Sequence, residues 1–236
     1  HRLQAQQVGL TLEELGERRP EVMFYSFIKL PEGKMSTRRG NVVFMDDLLE
    51  EAQAHAAEVL KERRPDLDPA TMATIAEAVG TSAVRFNIIS VSPEKGFTFR
   101  WEDALSFEAG SAPFVMYSHT RACSIRRNVE AADPSFITQP PQIEPFEGEM
   151  PAGLVELLRT LAVHDDRLSK VVKEHRPNLF ANYMLQLSMA YNMFYRDCYV
   201  IDQGKVNPFF FAVSEMARTT LKAGMEALGL VALETM

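Results

Sequence analysis

The spacing of apolar residues changes character along the chain. From Glu21 to Leu30, "EVMFYSFIKL", aromatic and branched residues follow one another with little interruption, which predicts a buried strand. "NVVF" (Asn41 to Phe44) predicts a short extended exit from the polar stretch between. The period then turns helical. Leu48, Leu49, Ala52, Ala56, Val59 and Leu60 form one stripe, Asp47 and Glu50 have capping-box spacing ahead of it, and Pro65 marks its end. A second helix is predicted from Asp68–Pro69, with Met72, Ile75, Ala76, Val79, Ala83 and Phe86 on its apolar face. "FTFRW" (Phe97 to Trp101) alternates as a short extended crossing does.

Beyond Trp101 nearly every pattern is helical. "SAPFVMYSHTRACSIRRN" (Ser111 to Asn128) opens with a serine cap and a proline in the first turn. Between Asp133 and Pro151 five prolines with Glu144, Glu147 and Glu149 predict a loop. Three further helices are predicted over Ala152 to His175, Leu179 to Ile201 and Pro208 to Leu228. Pro177 and Asn178 punctuate the first gap, Gly204 and Asn207 the second. The expected architecture is a strand-containing N-terminal piece followed by a helix bundle, with the boundary between Trp101 and Gly110.

Composition narrows the classes. At 236 residues, 46% hydrophobic and 24% charged, the chain has the balance of a globular protein with a sizeable core. No run of about 18 apolar residues predicts a membrane span. The start, "HRLQAQQVGL", has no initiator Met and no apolar h-region, so it reads as the middle of a longer protein. Cys123 and Cys198 stand alone, without paired metal-ligand spacing, which points away from a zinc site or disulfide framework and towards a reducing cytoplasm. A net charge of −7 argues against a surface that is basic everywhere, but local cationic patches suffice for nucleic acid.

One such patch is "LPEGKMSTRRGN" (Leu30 to Asn41), between the predicted strand and the first helix. Gly33 and Gly40 allow close backbone approach, Lys34 brings a compact charge, Ser36 and Thr37 bring hydroxyls, and Arg38 and Arg39 bring planar forks. That chemistry suits a polyphosphate, as does the strand–loop–helix context. The GxxxxGK[ST] phosphate loop is excluded, because Ile28 lies five residues before Gly33 and Met35 follows the lysine. On charge pattern alone a solvated basic turn is an equal alternative.

"KMSTRRGN" followed by a short strand and "DDLLEEA" resembles the KMSKS-type signature loop of class I aminoacyl-tRNA synthetases, in the form found in arginyl-tRNA synthetases. "WEDALSFEAGSAPFVMYSHTRACSIRRN" (Trp101 to Asn128), "NYMLQLSMAYNMFYRDCYVI" (Asn182 to Ile201) and the ending "LGLVALETM" are similar to that family's helical anticodon-binding domain. The resemblance implies a mainly α chain: the C-terminal remnant of a Rossmann-type α/β catalytic domain over 1–103, then an α-helical bundle anticodon-binding domain over 104–236. It implies activation of L-arginine with ATP, as the Mg2+ complex, and transfer to tRNA-Arg by a cytoplasmic monomer that holds no metal of its own. Lys34 and Ser36 would be catalytic, and Lys34, Met35, Ser36 and Arg38 would contact ATP. Thr37 stands where many class I enzymes have a second lysine, so Lys34 is expected to carry the ammonium role. The family's HIGH motif and most of its arginine pocket are absent here, so the chain alone is expected to be inactive.

For tRNA, the resemblance singles out Phe114, Tyr117, Tyr195 and Met236, and Arg121, Arg126 and Arg127 are cations on one helix that could meet phosphates. Unpaired bases are read by stacking on aromatics or guanidinium planes. Against that, aromatics at helical spacing more often belong to a core, and Phe194 beside Tyr195 suits one. "HDDR" (His164 to Arg167) looks superficially like a ligand set, but adjacent helical residues point in different directions. His119 and His175 read as structural. Two alternatives stay open: a non-catalytic helical RNA-binding module, and another class I enzyme such as cysteinyl-tRNA synthetase, whose zinc thiolates have no counterpart in this chain.

Overall fold

The structure, a computed structural model, describes residues 2–29, 31, 44–108, 110–138, 146 and 148–236. The "KMSTRRGN" motif, with Lys34, Met35, Ser36 and Arg38, lies outside the described residues. The chain begins with α1 (Arg2–Glu14), which the apolar spacing does not anticipate and which buries only Gly9. β1 is the two-residue strand Ile28–Lys29, followed by α2 (Met45–Arg63) and α3 (Pro69–Ile89). β2 (Phe97–Thr98) pairs with β1 in parallel, Ile28 opposite Phe97 and Lys29 opposite Thr98. The predicted buried strand is therefore corrected. Tyr25 and Phe27 are 88% and 85% exposed, because among the described residues β1 has one two-residue partner strand, which gives these rings no second layer to pack against.

α2 and α3 form an antiparallel hairpin. Asp68 caps α3 by accepting from the amides of Ala70 and Thr71, each at 3.0 Å, with Pro69 in the first turn, so that start lies where the sequence puts it. The capping box ahead of α2 does not form. The cap is Phe44, without a side-chain bond, and Asp46 and Asp47 lie inside the first turn, where a carboxylate favours the positive end of the helix dipole. After β2 comes the single turn α4 (Trp101–Ala104). The Trp101 indole donates to Glu51 at 2.9 Å and packs edge-on against Phe99, pinning this corner to α2.

α5 (Ala112–Ala132) is the central helix, in contact with α3, α9 and α10. Ser111 caps it, its hydroxyl accepting from the Phe114 amide at 3.3 Å. The short α6 (Ser135–Thr138) comes next; much of the proline-rich stretch after it lies outside the described residues. The single helix predicted over Ala152 to His175 is two, α7 (Ala152–Ala162) and α8 (His164–Glu174), divided at Val163. The buried Tyr183 hydroxyl donates to the Thr160 carbonyl at 3.1 Å, the acceptor a continuous helix would offer to the His164 amide, and a side chain inserted into the ladder breaks it.

α9 (Pro177–Asp197) packs along α7. At their crossing Gly153 is so close that a Cβ there would sit 2.6 Å from the Met193 carbonyl carbon. α9 stops four residues short of the predicted Ile201. The chain then forms a hairpin, β3 (Ile201–Asp202) with β4 (Lys205–Val206), turned through Gln203 and Gly204 at φ 49° and 78°. Two successive positive φ values are the geometry of a type I′ turn, whose twist matches that of the flanking strands. Asn207 then caps α10 (Pro208–Ala227). Leu154, Leu157, Leu187, Tyr191, Phe194 and Leu221 are fully buried in the shared core, each worth roughly 1.5–3 kcal/mol of transfer free energy.

Candidate nucleic-acid interface

The outer faces of α5 and α9 meet beside the last residues of the chain. Tyr117 and Arg121 are one turn apart on α5, and Tyr195 projects from the end of α9. The Arg121 guanidinium carbon lies 4.6 Å from the centre of the Tyr117 ring and 5.1 Å from that of Tyr195. Its Nη1 donates to Asn192 Oδ1 at 2.6 Å, the Asn192 amide donates to Ser118 Oγ at 3.0 Å, and that hydroxyl donates to the Phe114 carbonyl at 2.9 Å. The chain of bonds fixes the guanidinium between two phenol rings, so little side-chain freedom remains to be lost when a ligand binds.

Exposure separates these rings from the core. Tyr117 and Tyr195 are 38% and 45% exposed, whereas Tyr183, Tyr191 and Phe194 are buried. Phe194 and Tyr195, adjacent on α9, thus differ in fate: one enters the core and the other stays at the surface. Around the stack is a pocket of about 460 Å³ whose lining includes Arg64, Tyr117, Arg121, Arg127, Tyr195 and Met236. On a chain of net charge −7, Arg121 and Arg127 make a local cationic site with exposed π faces, while Arg64 is forked onto the Asp66 carboxylate.

The remaining predicted residues divide. Phe114 is half-buried one turn before Tyr117 on α5 and does not line the pocket. Arg126 turns away from it to form a very short ion pair with Glu215 of α10. Glu215 also accepts from Arg218 at 2.8 and 3.0 Å, so Arg126 belongs to a helix-joining cluster. Arg127 lines the pocket while donating to the Glu234 carbonyl at 3.0 Å. His119 is fully buried, and its Nδ1 lies 2.8 Å from the Leu233 carbonyl. A carbonyl only accepts, so Nδ1 carries the proton; burial, opposed in part by that bond, holds the imidazole below its ordinary pKa of 6.5. His175 ends α8 in the left-handed conformation and pairs with Glu21 at 3.0 Å. The His164 ring of "HDDR" packs against the stacked rings of Phe180 and Tyr183, and no metal-binding group of three is found among the described residues.

Sequence reasoning missed Asn192 and Arg64. Asn192 precedes Tyr195 by one turn on the same face, and that spacing is a usable signal. Arg64 has none, because its contact with Met236 spans 172 positions.

Comparison with known proteins bears on this surface directly. The description "DALR anticodon binding domain" matches residues 115–236, which take in α5 from Val115 onward, α9 and the last residues. The chain belongs to the DALR anticodon-binding domain family. Residues 21–101 match "tRNA synthetases class I (R), catalytic domain". Among curated relatives, the arginine–tRNA ligase of Archaeoglobus fulgidus is 39% identical over 238 residues and that of Methanococcoides burtonii 38% over 240. Each alignment covers 100% of this chain but only 42% and 41% of the relative, in its C-terminal part. Among solved structures, Thermus thermophilus arginyl-tRNA synthetase superposes with a TM-score of 0.73 at 25% identity, over 90% of this chain and 35% of that one. The Plasmodium falciparum arginyl-tRNA synthetase gives 0.67 at 17% identity, over 90% and 34%, a likeness of fold. These matches converge on the arginyl-tRNA synthetase family. No helix among the described residues is long and apolar enough to cross a membrane.

Proposed function

We propose that this chain is the tRNA-reading part of an arginine–tRNA ligase, and that unpaired anticodon-loop bases bind at the Tyr117–Arg121–Tyr195 stack. The observation that carries the reading is a guanidinium held between two exposed phenol rings, inside the stretch matched by an anticodon-binding domain. Phenol rings and guanidinium planes both offer π surfaces on which a splayed base stacks. Arg127 stands where a loop phosphate would pass, and Met236 closes the wall of the pocket. A division into 1–103 and 104–236 is supported by matched stretches that lie on either side of it.

The same reading gives the N-terminal part a share in activation of L-arginine by ATP, supplied as its magnesium complex, in a cytoplasmic monomeric enzyme. The arginine carboxylate attacks the α-phosphate and pyrophosphate leaves; a hydroxyl of the terminal ribose of tRNA-Arg then attacks the arginyl carbonyl of the adenylate, forming the ester as AMP leaves. Negative charge grows on the departing diphosphate. Lys34, with Ser36 and Arg38 on the same loop and Met35 against the nucleotide, would stabilise that charge more in the transition state than in the ground state. In a full-length ligase carrying this chain, Lys34→Ala is expected to slow adenylate formation by about 2–4 kcal/mol of activation free energy; an unchanged rate of pyrophosphate exchange would remove Lys34 from catalysis. The RNA assignment is tested by measuring affinity for tRNA-Arg transcripts with native and altered anticodons. Equal affinity for both would defeat it.

A further inference from the structure

We infer that Arg64 is a positioning residue for base reading, which acts by holding Met236 in the wall of the pocket; the inference rests on the anticodon function proposed above and deepens it. Arg64 is the C-cap of α2 and lies outside the stretch matched by the anticodon-binding domain. Its Nε and Nη2 donate to Asp66 Oδ1 and Oδ2, both at 2.9 Å. That fork fixes the guanidinium plane and holds the Asp66 carboxyl below its ordinary range. Nη1 is left to point at the end of the chain, where it donates to the Met236 main-chain oxygen at 2.8 Å.

The need for such a clamp arises from the residues before it. From Gly229 onward the chain has no helix or strand; main-chain bonds from Leu230 to Met225 and from Leu233 to Val231 hold part of its path, and side chains of other elements hold the rest. Arg85 donates to the Gly229 carbonyl at 2.5 Å, and Ser82 Oγ accepts from the Val231 amide at 3.2 Å. His119 donates to the Leu233 carbonyl and Arg127 to the Glu234 carbonyl. Beyond Glu234, the main chain is tethered among the described residues by Arg64. Met236 is half-buried against the core, and the Arg64 bond fixes the main-chain position from which its side chain faces the pocket. Losing that bond lets Thr235 and Met236 shift, so that placing Met236 against a base carries an ordering cost.

The test measures equilibrium binding of tRNA-Arg transcripts with native and singly altered anticodons to the wild type, Arg64→Ala, Arg64→Lys, Met236→Ala and the Arg64→Ala/Met236→Ala double variant, each checked for an unchanged thermal midpoint. Arg64→Ala is expected to lower discrimination between the two RNAs about 3- to 10-fold. Arg64→Lys, which keeps one donor for Met236, should recover part of it. The double variant should discriminate no worse than Met236→Ala alone, because both changes disable the same contact. If Arg64→Ala weakens both RNAs equally and lowers the salt dependence of binding, Arg64 is a plain phosphate contact and the inference is overturned. Additive losses in the double variant overturn it too, as does full discrimination by Met236→Ala. Wild-type protein that does not discriminate at all would overturn the anticodon reading itself, a result distinct from the others.

Discussion

Replacing Tyr195 by alanine separates a recognition surface from a structural one. The ring is 45% exposed, and its cation–π contact with Arg121 at 5.1 Å is worth about 0.5–1 kcal/mol at such a site. The fold should therefore lose at most about 1 kcal/mol, readable as a small shift of the urea midpoint. Binding should suffer more, because loss of one base-stacking platform costs about 1–3 kcal/mol, or roughly 5- to 150-fold in Kd. The assay is titration of labelled tRNA-Arg at one fixed salt concentration, since phosphate contacts make affinity steeply salt-dependent. Tyr195→Phe keeps the π face and should bind within about twofold of wild type. An unchanged Kd for Tyr195→Ala would refute stacking at this position. Equal losses in the alanine and phenylalanine variants would refute it differently, by assigning the effect to the hydroxyl.

Three other outcomes are expected from the packing. Gly153→Ala should destabilise by about 1–3 kcal/mol, less the roughly 1 kcal/mol gained in helix propensity, because its Cβ would meet the Met193 carbonyl group at 2.6 Å; a raised urea midpoint would contradict the close crossing of α7 and α9. Arg126→Ala should leave tRNA affinity within about twofold while lowering the thermal midpoint, since Arg126 pairs with Glu215; a large loss of affinity with full stability would restore its assignment to RNA. His119 titrates lower in the folded chain than in the unfolded one, so the unfolded chain binds the proton more readily. Its stabilising contribution is thus complete above the unfolded pKa near 6.5 and declines as pH falls from there through the folded value. Thermal midpoints of wild type and His119→Gln, compared between pH 7.5 and 5.5, should show a steeper fall for wild type.

Where a local rule suffices, the sequence alone determines structure here. Asp68 and Ser111 cap helices because their oxygens reach amides two or three residues on, and Asn207 with Pro208 starts α10 by the same short-range means. Tyr117 and Tyr195 could be nominated from the resemblance, against the pull of helical spacing towards a core, and Arg121 as one of three cations on one helix. Tertiary structure decided the rest, for reasons of distance. Whether a tyrosine faces core or solvent depends on which neighbours cover it, which is why Tyr191 is buried and Tyr195 exposed one turn later. The break at Val163 depends on Tyr183 arriving from another helix, and Arg126 is taken up by Glu215, 89 positions away. Arg64 enters the pocket only because Met236, 172 positions on, is folded back to meet it. Caps and periods are short-range interactions written into neighbouring residues, whereas a site assembled from two helices and a folded-back tail exists only after the chain has closed those long loops.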